Sequence, residues 1–202
     1  MGAAGGRAGG RRLRPRTRRG HGLRLRGRDL SRATLAPVAR LRTRAWRQTA
    51  LRVPGCLPPR QSAPHAGRFH QPGDPWPLYA SLDRDTMWAE WRHATDGAVD
   101  PRDDERWACA IDLDLRVLDF RDATTRRALR VSERQLTAGW APDAPNRHAL
   151  RVMRAARELG VDGIVVPSAA REGGWNVAVL PDAFDRVHLA RRRREVPRPP
   201  PD

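Results

Sequence analysis

The chain has 202 residues, 39 of them basic and 23 acidic, for a net charge of +16. That length suits one domain of ordinary size, or a smaller one with tails. The charge invites a nucleic-acid reading, but residues 1–60 hold seventeen Arg and a single acid, Asp29, whereas residues 61–202 hold twenty-two Arg and twenty-two acids. The basicity therefore belongs to an N-terminal arm, which argues against a uniformly basic nucleic-acid-binding domain.

Every basic residue is Arg and none is Lys. Selection for guanidinium forks would leave some Lys on solvated surfaces, so total exclusion reads as coding bias in a GC-rich genome. Cys56 and Cys109 lie far apart in sequence, with no spacing that suggests a disulfide framework or a metal site. No stretch approaches the roughly 18–20 apolar residues of a membrane span, and the Arg-rich start lacks the apolar core of a signal peptide. A reducing cytoplasm is the expected setting.

In chain order, residues 1–60 form a Gly/Arg-rich and then Arg/Leu/Ala-rich arm. Low apolar content with high charge cannot offset the entropy of ordering. Three readings of the arm stand: a disordered tail, upstream sequence read through by an over-extended gene start, or a basic arm for a polyanion. Within it, Arg40–Arg52 is compatible with a basic helix. The ordered domain is expected over 66–188, beginning with a strand-like piece at Arg68 and Phe69 and a Pro/Gly turn from Gln71 to Pro77. A strand at Leu78–Ser81 and a helix over Leu82–Thr95 follow, capped by Asp83 or Asp85, with Met87, Trp88, Trp91 and Ala94 at helical spacing.

Ala98–Asp104 reads as a loop, and the alternation in Arg106–Phe120 as a half-buried strand or strand pair. Short helices are expected at Asp122–Leu129 and Ser132–Leu136, capped by Asp122 and Ser132, then a loop at Pro142–Pro145. Asn146–Leu159 is the clearest helix, with an apolar stripe through Ala149, Val152, Met153 and Ala156 and with Gly160 as its C-cap. Val161–Pro167 reads as a short buried strand, Arg171–Gly174 as a turn, and Trp175–Leu180 as the last strand. Residues 189–202 are too charged and Pro-rich for a core element and are expected to be a tail. Strands in two groups with helices between them predict an α+β domain with a small split mixed sheet and flanking helices.

Five side chains carry the candidate chemistry. Arg68 is a guanidinium suited to a phosphate or carboxylate. Tyr79, the only tyrosine, is either a packing ring or a surface on which a flat ligand stacks. Ser81 shares a strand face with Tyr79, or caps the following helix. Glu90 has apolar helical neighbours, so its carboxylate lies at an edge or in a pocket; His93, at i+3, is within reach of it. Ser168 sits just past a buried strand, where loops carry reactive groups, but GIVVPSAA lacks the flanking glycines of a nucleophile elbow. Gly173 and Gly174 read as a turn rather than a phosphate cradle. One His and one Glu make no metal site.

Taken together, GRFH, PLYAS, AEWRH, VLDF, GVDGIVVPSA and GGWNVAVLP, in that order over about 66–185, resemble the RES domain, the toxin half of a family of bacterial toxin–antitoxin modules. The Arg, Glu and Ser for which that family is named map onto Arg68, Glu90 and Ser168. The resemblance implies an ADP-ribosyltransferase-like fold that binds NAD as substrate, with no separate cofactor, and cleaves the nicotinamide–ribose bond by hydrolysis or phosphorolysis.

In that reading Glu90 stabilises the oxocarbenium-like transition state. Arg68 holds the pyrophosphate, Tyr79 flanks nicotinamide or ribose, and Ser168 orients the ligand, with Ser81 beside them. Relatives carry an Arg soon after Pro-Ser-Ala; here Ala169 and Ala170 precede Arg171. The resemblance further implies a helix-turn-helix antitoxin as partner and phosphate as a possible co-substrate, with nucleic acid met only through the antitoxin or the arm. Two other functions remain open at this point: ADP-ribosyl transfer to a protein, and non-catalytic nucleic-acid binding through the arm.

Overall fold

The computed structural model describes residues 36–52, 56–57, 66–95, 105–139 and 144–196. The first element overturns the reading of residues 1–60 as an arm. Strand β1, Val38–Ala50, buries Leu41, Ala45 and Thr49 and exposes Arg40, Arg42 and Arg44. A four-residue spacing of buried positions fits one face of a strand as well as one side of a helix. Pairing settles it: β1 runs antiparallel to β3, Arg106–Asp119, from Val38 opposite Leu118 to Ala50 opposite Arg106.

The local charge excess finds its counterions across this ladder. Arg40 makes two bonds to Asp114, at 2.7 and 2.8 Å, and Arg44 bonds Asp112 at 2.8 Å. Such exposed pairs contribute little stability, but opposite charges facing each other favour this register. The domain therefore begins before residue 40 and not at 66. Residues 1–35, and the expected loop at Ala98–Asp104, lie outside the described residues, as does the first half of the Pro142–Pro145 loop.

The sheet is not split. Its six strands run in the order β1-β2-β5-β4-β3-β6, and β1 also pairs β3, so five strands close into a barrel. The others are β2 (Leu78–Ser81), β4 (Gly163–Pro167), β5 (Trp175–Val179) and β6 (Val187–Glu195). Closure depends on the length of β3. One edge of it pairs β1 throughout, while the other is shared between β6, over Arg106–Leu113, and β4, over Val117–Asp119. Only the β3–β4 pair is parallel among these pairings.

β6 likewise corrects the expected tail at 189–202. Its residues from His188 to Arg194 are all exposed, so no apolar period marks it as a strand. It is held by its ladder to β3, by Arg192 stacked 3.8 Å over the Trp107 ring, and by buried Glu195, which pairs with Arg84 and Arg193. Residues 197–202 lie outside the described residues. The cysteines, read as unpaired in the sequence, form a disulfide, Cys56–Cys109, with Cα atoms 6.2 Å apart across 53 residues of chain.

Among the described residues four helices pack on the barrel: α1 (Arg84–Thr95), α2 (Ala123–Ala128), α3 (Glu133–Thr137) and α4 (Arg147–Glu158). A short 3-10 turn, Pro181–Arg186, leads into β6. The apolar run of β4 divides by period two. Val165 faces the barrel interior with Ile111, Leu115 and Val177, while Ile164 and Val166 face α4 through Val152 and Met153. A third cluster seats α1, with Met87, Trp88 and Trp91 against Ala108 of β3. No helix among the described residues is long and apolar enough to cross a membrane.

The caps follow the sequence closely. Asp83, rather than Asp85, accepts from Thr86 N at 2.8 Å at the start of α1. Ser132 and Gln135 form a capping box, and Gly160 takes φ +61° after α4. Asn146 accepts from His148 N and Ala149 N while donating to the carbonyls of Gln135 and Ala138, so it joins α3 to α4 as well as capping α4. Asn146→Ala is expected to cost about 1–2 kcal/mol, measured as the shift in a urea unfolding midpoint.

Candidate active site

A cleft of about 380 Å³ opens where β1, β2, β5 and α1 meet. β1 contributes Trp46, Arg47 and Gln48; β2 contributes Tyr79 and Ser81; α1 contributes Met87, Glu90 and Ala94; β5 contributes Asn176, and the segment before β2 contributes Arg68 and Phe69. On α1 the spacing of 87, 90 and 94 places all three on one face. Glu90 thus stands in the cleft wall with apolar neighbours above and below it. His93 is exposed and is not part of the lining.

Arg68 and Phe69 sit in a tight turn and not in the expected strand-like piece. The turn is closed by Gly67 N donating to His70 O at 2.9 Å. Gly67 is needed there, because a β-carbon would overlap the His70 imidazole. The Nε of Arg68, a residue of the cleft lining, is buried and has no hydrogen-bond partner among the described residues. Tyr79 places its hydroxyl 2.8 Å from His70 Nδ1. Burial pushes its phenol well above the usual range, so it remains neutral at physiological pH.

Arg47 is not singled out by the sequence, because charge and composition place its segment in the arm. It donates to Tyr79 O at 2.7 Å, while its Nε has no partner among the described residues. Burial pulls its guanidinium down to about 10. An unneutralised cation in this setting marks a place for an anion. Asn176 interrupts the otherwise apolar strand WNVAV, a polar residue in an apolar run that the sequence alone singles out.

Both serines serve protein partners. Ser168, at the end of β4 as expected, donates to Glu90 Oε1 at 2.6 Å and accepts from Ala170 N and Arg171 N, each at 3.1 Å. Those two acceptances occupy both lone pairs of its oxygen, so it is not arranged for nucleophilic attack. Ser81 donates to Asn176 Oδ1 at 2.7 Å, and Asn176 Nδ2 donates to Glu90 Oε1. Arg171 is committed to Asp83 and Thr86 at the start of α1 and does not line the cleft. Gly173 and Gly174 form the expected turn, closed onto Ser168 N by Gly174 O at 2.8 Å.

The result is one carboxylate, fixed by two donors, beside two guanidinium groups and the apolar surfaces of Trp46, Phe69 and Met87. That set suits a ligand with anionic groups at one end and a centre that becomes cationic at the other. Among the described residues no group of three His, Cys, Asp or Glu side chains is placed to hold a metal ion.

The chain belongs to the RES domain family, whose family model matches residues 37–199, a span that begins at β1. It is 32% identical over 169 residues, covering 82% of this chain and 77% of the relative, to a probable NAD(+) phosphorylase of Mycobacterium tuberculosis. Its fold is similar to that of a chain in the crystal structure of the M. tuberculosis MbcT–MbcA toxin–antitoxin complex, with TM-score 0.69, 19% identity, and coverage of 84% of this chain and 92% of that one.

Proposed function

We propose that this protein is an NAD-degrading toxin that cleaves the nicotinamide–ribose bond and arrests growth by depleting NAD. The observation that carries the reading is Glu90, fixed at one oxygen by Ser168 and Asn176 and facing a cleft that also holds Arg47 and Arg68. Family membership and the NAD(+) phosphorylase relative support the same activity. NAD is the substrate, and no separate cofactor takes part.

Arg47 and Arg68 take the pyrophosphate, whose charge offsets the cost of burying their guanidinium groups. Tyr79 and the cleft aromatics flank the nicotinamide riboside end. As the C–N bond lengthens, positive charge grows on the ribose, and the second oxygen of Glu90 stabilises it electrostatically. Water or phosphate then takes the anomeric carbon, giving ADP-ribose or its 1″-phosphate. The protein is assigned to the cytoplasm by its substrate and not by its cysteines, which form a disulfide of a kind rare in that compartment; a partner antitoxin restrains it, as MbcA accompanies MbcT in the complex of similar fold.

Nicotinamide release from NAD by the purified chain, with and without phosphate, tests the activity. Release in either condition is expected, and the phosphate dependence distinguishes the acceptors. NAD left intact in both would overturn the reading.

Arg47 supplies a second test. Its lowered pKa means that charging it opposes folding: the penalty is present in full below about pH 10 and is relieved as pH rises through that value. Arg47→Met should therefore keep or raise the melting temperature while raising KM for NAD about 10-fold or more, the loss of a charge-assisted contact. A lowered melting temperature with unchanged KM would assign Arg47 to the fold instead.

A further inference from the structure

Both serines that resemble ligand-binding groups in the sequence have their protons committed inside the protein. Ser81 is 4% exposed and donates to Asn176 Oδ1 at 2.7 Å. The amide orientation of Asn176 follows from its other neighbour. Turned around, it would press Oδ1 against the Glu90 carboxylate, acceptor on acceptor; only with Nδ2 toward Glu90 are both ends satisfied. Ser81 is then obliged to donate, and has no proton left for a substrate.

The register of the sheet makes this geometry. Ser81 lies directly opposite Asn176 in the β2–β5 ladder, so the pair is set by backbone pairing. Asn176 in turn lies opposite Val166 of β4, two residues before Ser168. The two donors to Glu90 therefore come from β5 and from the residue just past the end of adjacent β4, and both fall on Oε1. The carboxylate cannot rotate without breaking both bonds, and Oε2 is the oxygen left to meet a ligand.

We propose that Ser81 and Asn176 form a positioning relay that aims Glu90, Ser81 acting through Asn176 and neither residue contributing to the affinity for substrate. The inference deepens the NAD-cleaving reading and rests on it. Ser81→Ala leaves Asn176 Oδ1 without its donor, which frees the amide to turn. Asn176→Asp is nearly isosteric but places a second carboxylate against Glu90, and like charges sharing one site raise an apparent pKa.

The test uses the full chain and three readouts. In nicotinamide release, Ser81→Ala lowers kcat about 10–100-fold, the effect of misplacing a catalytic group by up to about 1 Å, with KM for NAD within about 2-fold of wild type. In the Asn176→Asp variant the acid limb of the pH–rate profile moves upward by about one unit or more. In a crystal structure of Ser81→Ala without substrate, the Asn176 amide is turned and the Glu90 side chain displaced.

A raised KM with preserved kcat would make Ser81 and Asn176 ligand contacts and overturn the relay. So would an acid limb that stays in place, or Asn176 and Glu90 side chains that keep their positions in the Ser81→Ala crystal. Wild-type chain that releases no nicotinamide sinks the NAD reading alone, since the crystal readout still decides the relay. Should Ser81→Ala fail to fold, the pH profile of the near-isosteric Asn176→Asp decides it instead: a shifted acid limb supports the relay and an unshifted one overturns it.

Discussion

Glu90→Ala is expected to slow nicotinamide release by about 10²–10³-fold, the usual effect of removing one preorganised electrostatic group from a transition state. Glu90 stands on α1 at the cleft and receives the Ser168 hydroxyl and the Asn176 amide. The change should reside in kcat, because the charge that Glu90 meets develops only as the bond breaks. Glu90→Gln separates charge from shape, since it keeps the side-chain volume and loses the negative charge. It is expected to be as impaired as the alanine variant, with KM for NAD little changed in both.

Stability is a needed control. α1 is seated by Trp88 and Trp91, both buried against Ala108, and Glu90 is no part of that contact. The melting temperature should therefore move by only a few degrees, the equivalent of about 1 kcal/mol or less in a domain of this size. Wild-type turnover in Glu90→Ala would remove the residue from the chemistry and leave the cleft without its proposed stabilising charge.

A chain beginning at residue 61 is expected not to fold, whereas one beginning at residue 36 folds cooperatively. The shorter chain loses β1, a 13-residue strand paired along its whole length with β3. At about 0.5–1.5 kcal/mol net for each backbone hydrogen bond, losing that ladder removes on the order of 10 kcal/mol. That is comparable to the whole stability of a typical domain, about 5–15 kcal/mol. The barrel would also open, exposing Ile111, Leu113 and Leu115, which pack with Leu41 and Ala45 inside it.

Far-UV circular dichroism and urea titration of the two chains test this directly. A cooperative transition in the chain beginning at 61 would show that closure is dispensable. The same comparison bears on any nucleic-acid role of the basic segment. Deleting residues 1–60 removes a core strand along with the charge, so salt-dependent binding to a polyanion has to be compared between the full chain and one beginning at 36.

Local features were legible in the sequence because their causes are local. Asp122, Ser132 and Asn146 cap helices through bonds made within three residues. The stripe of α4 and the continuous apolar run of β4 come from the periods of single elements. Arg68, Tyr79, Ser81 and Glu90 fall within 23 residues of one another, and the structure brings all four to one cleft. Ser168 joins them through its bond to Glu90.

The helices and their ends, the central strands, and the side chains that the family resemblance singles out can thus be read from the sequence. Closure of the sheet, the place of Arg47 and Asn176 in the site, the pairing of Cys56 with Cys109 and the strand character of Arg-rich β1 and β6 emerge only in three dimensions. Each of these depends on partners far along the chain. Asp112 and Asp114 answer Arg44 and Arg40 across about seventy residues, and Ser81 answers Asn176 across ninety-five. Charge counted by segment, or periodicity read in a window, records neither, because an antiparallel ladder neutralises and buries groups through a register that no single segment contains.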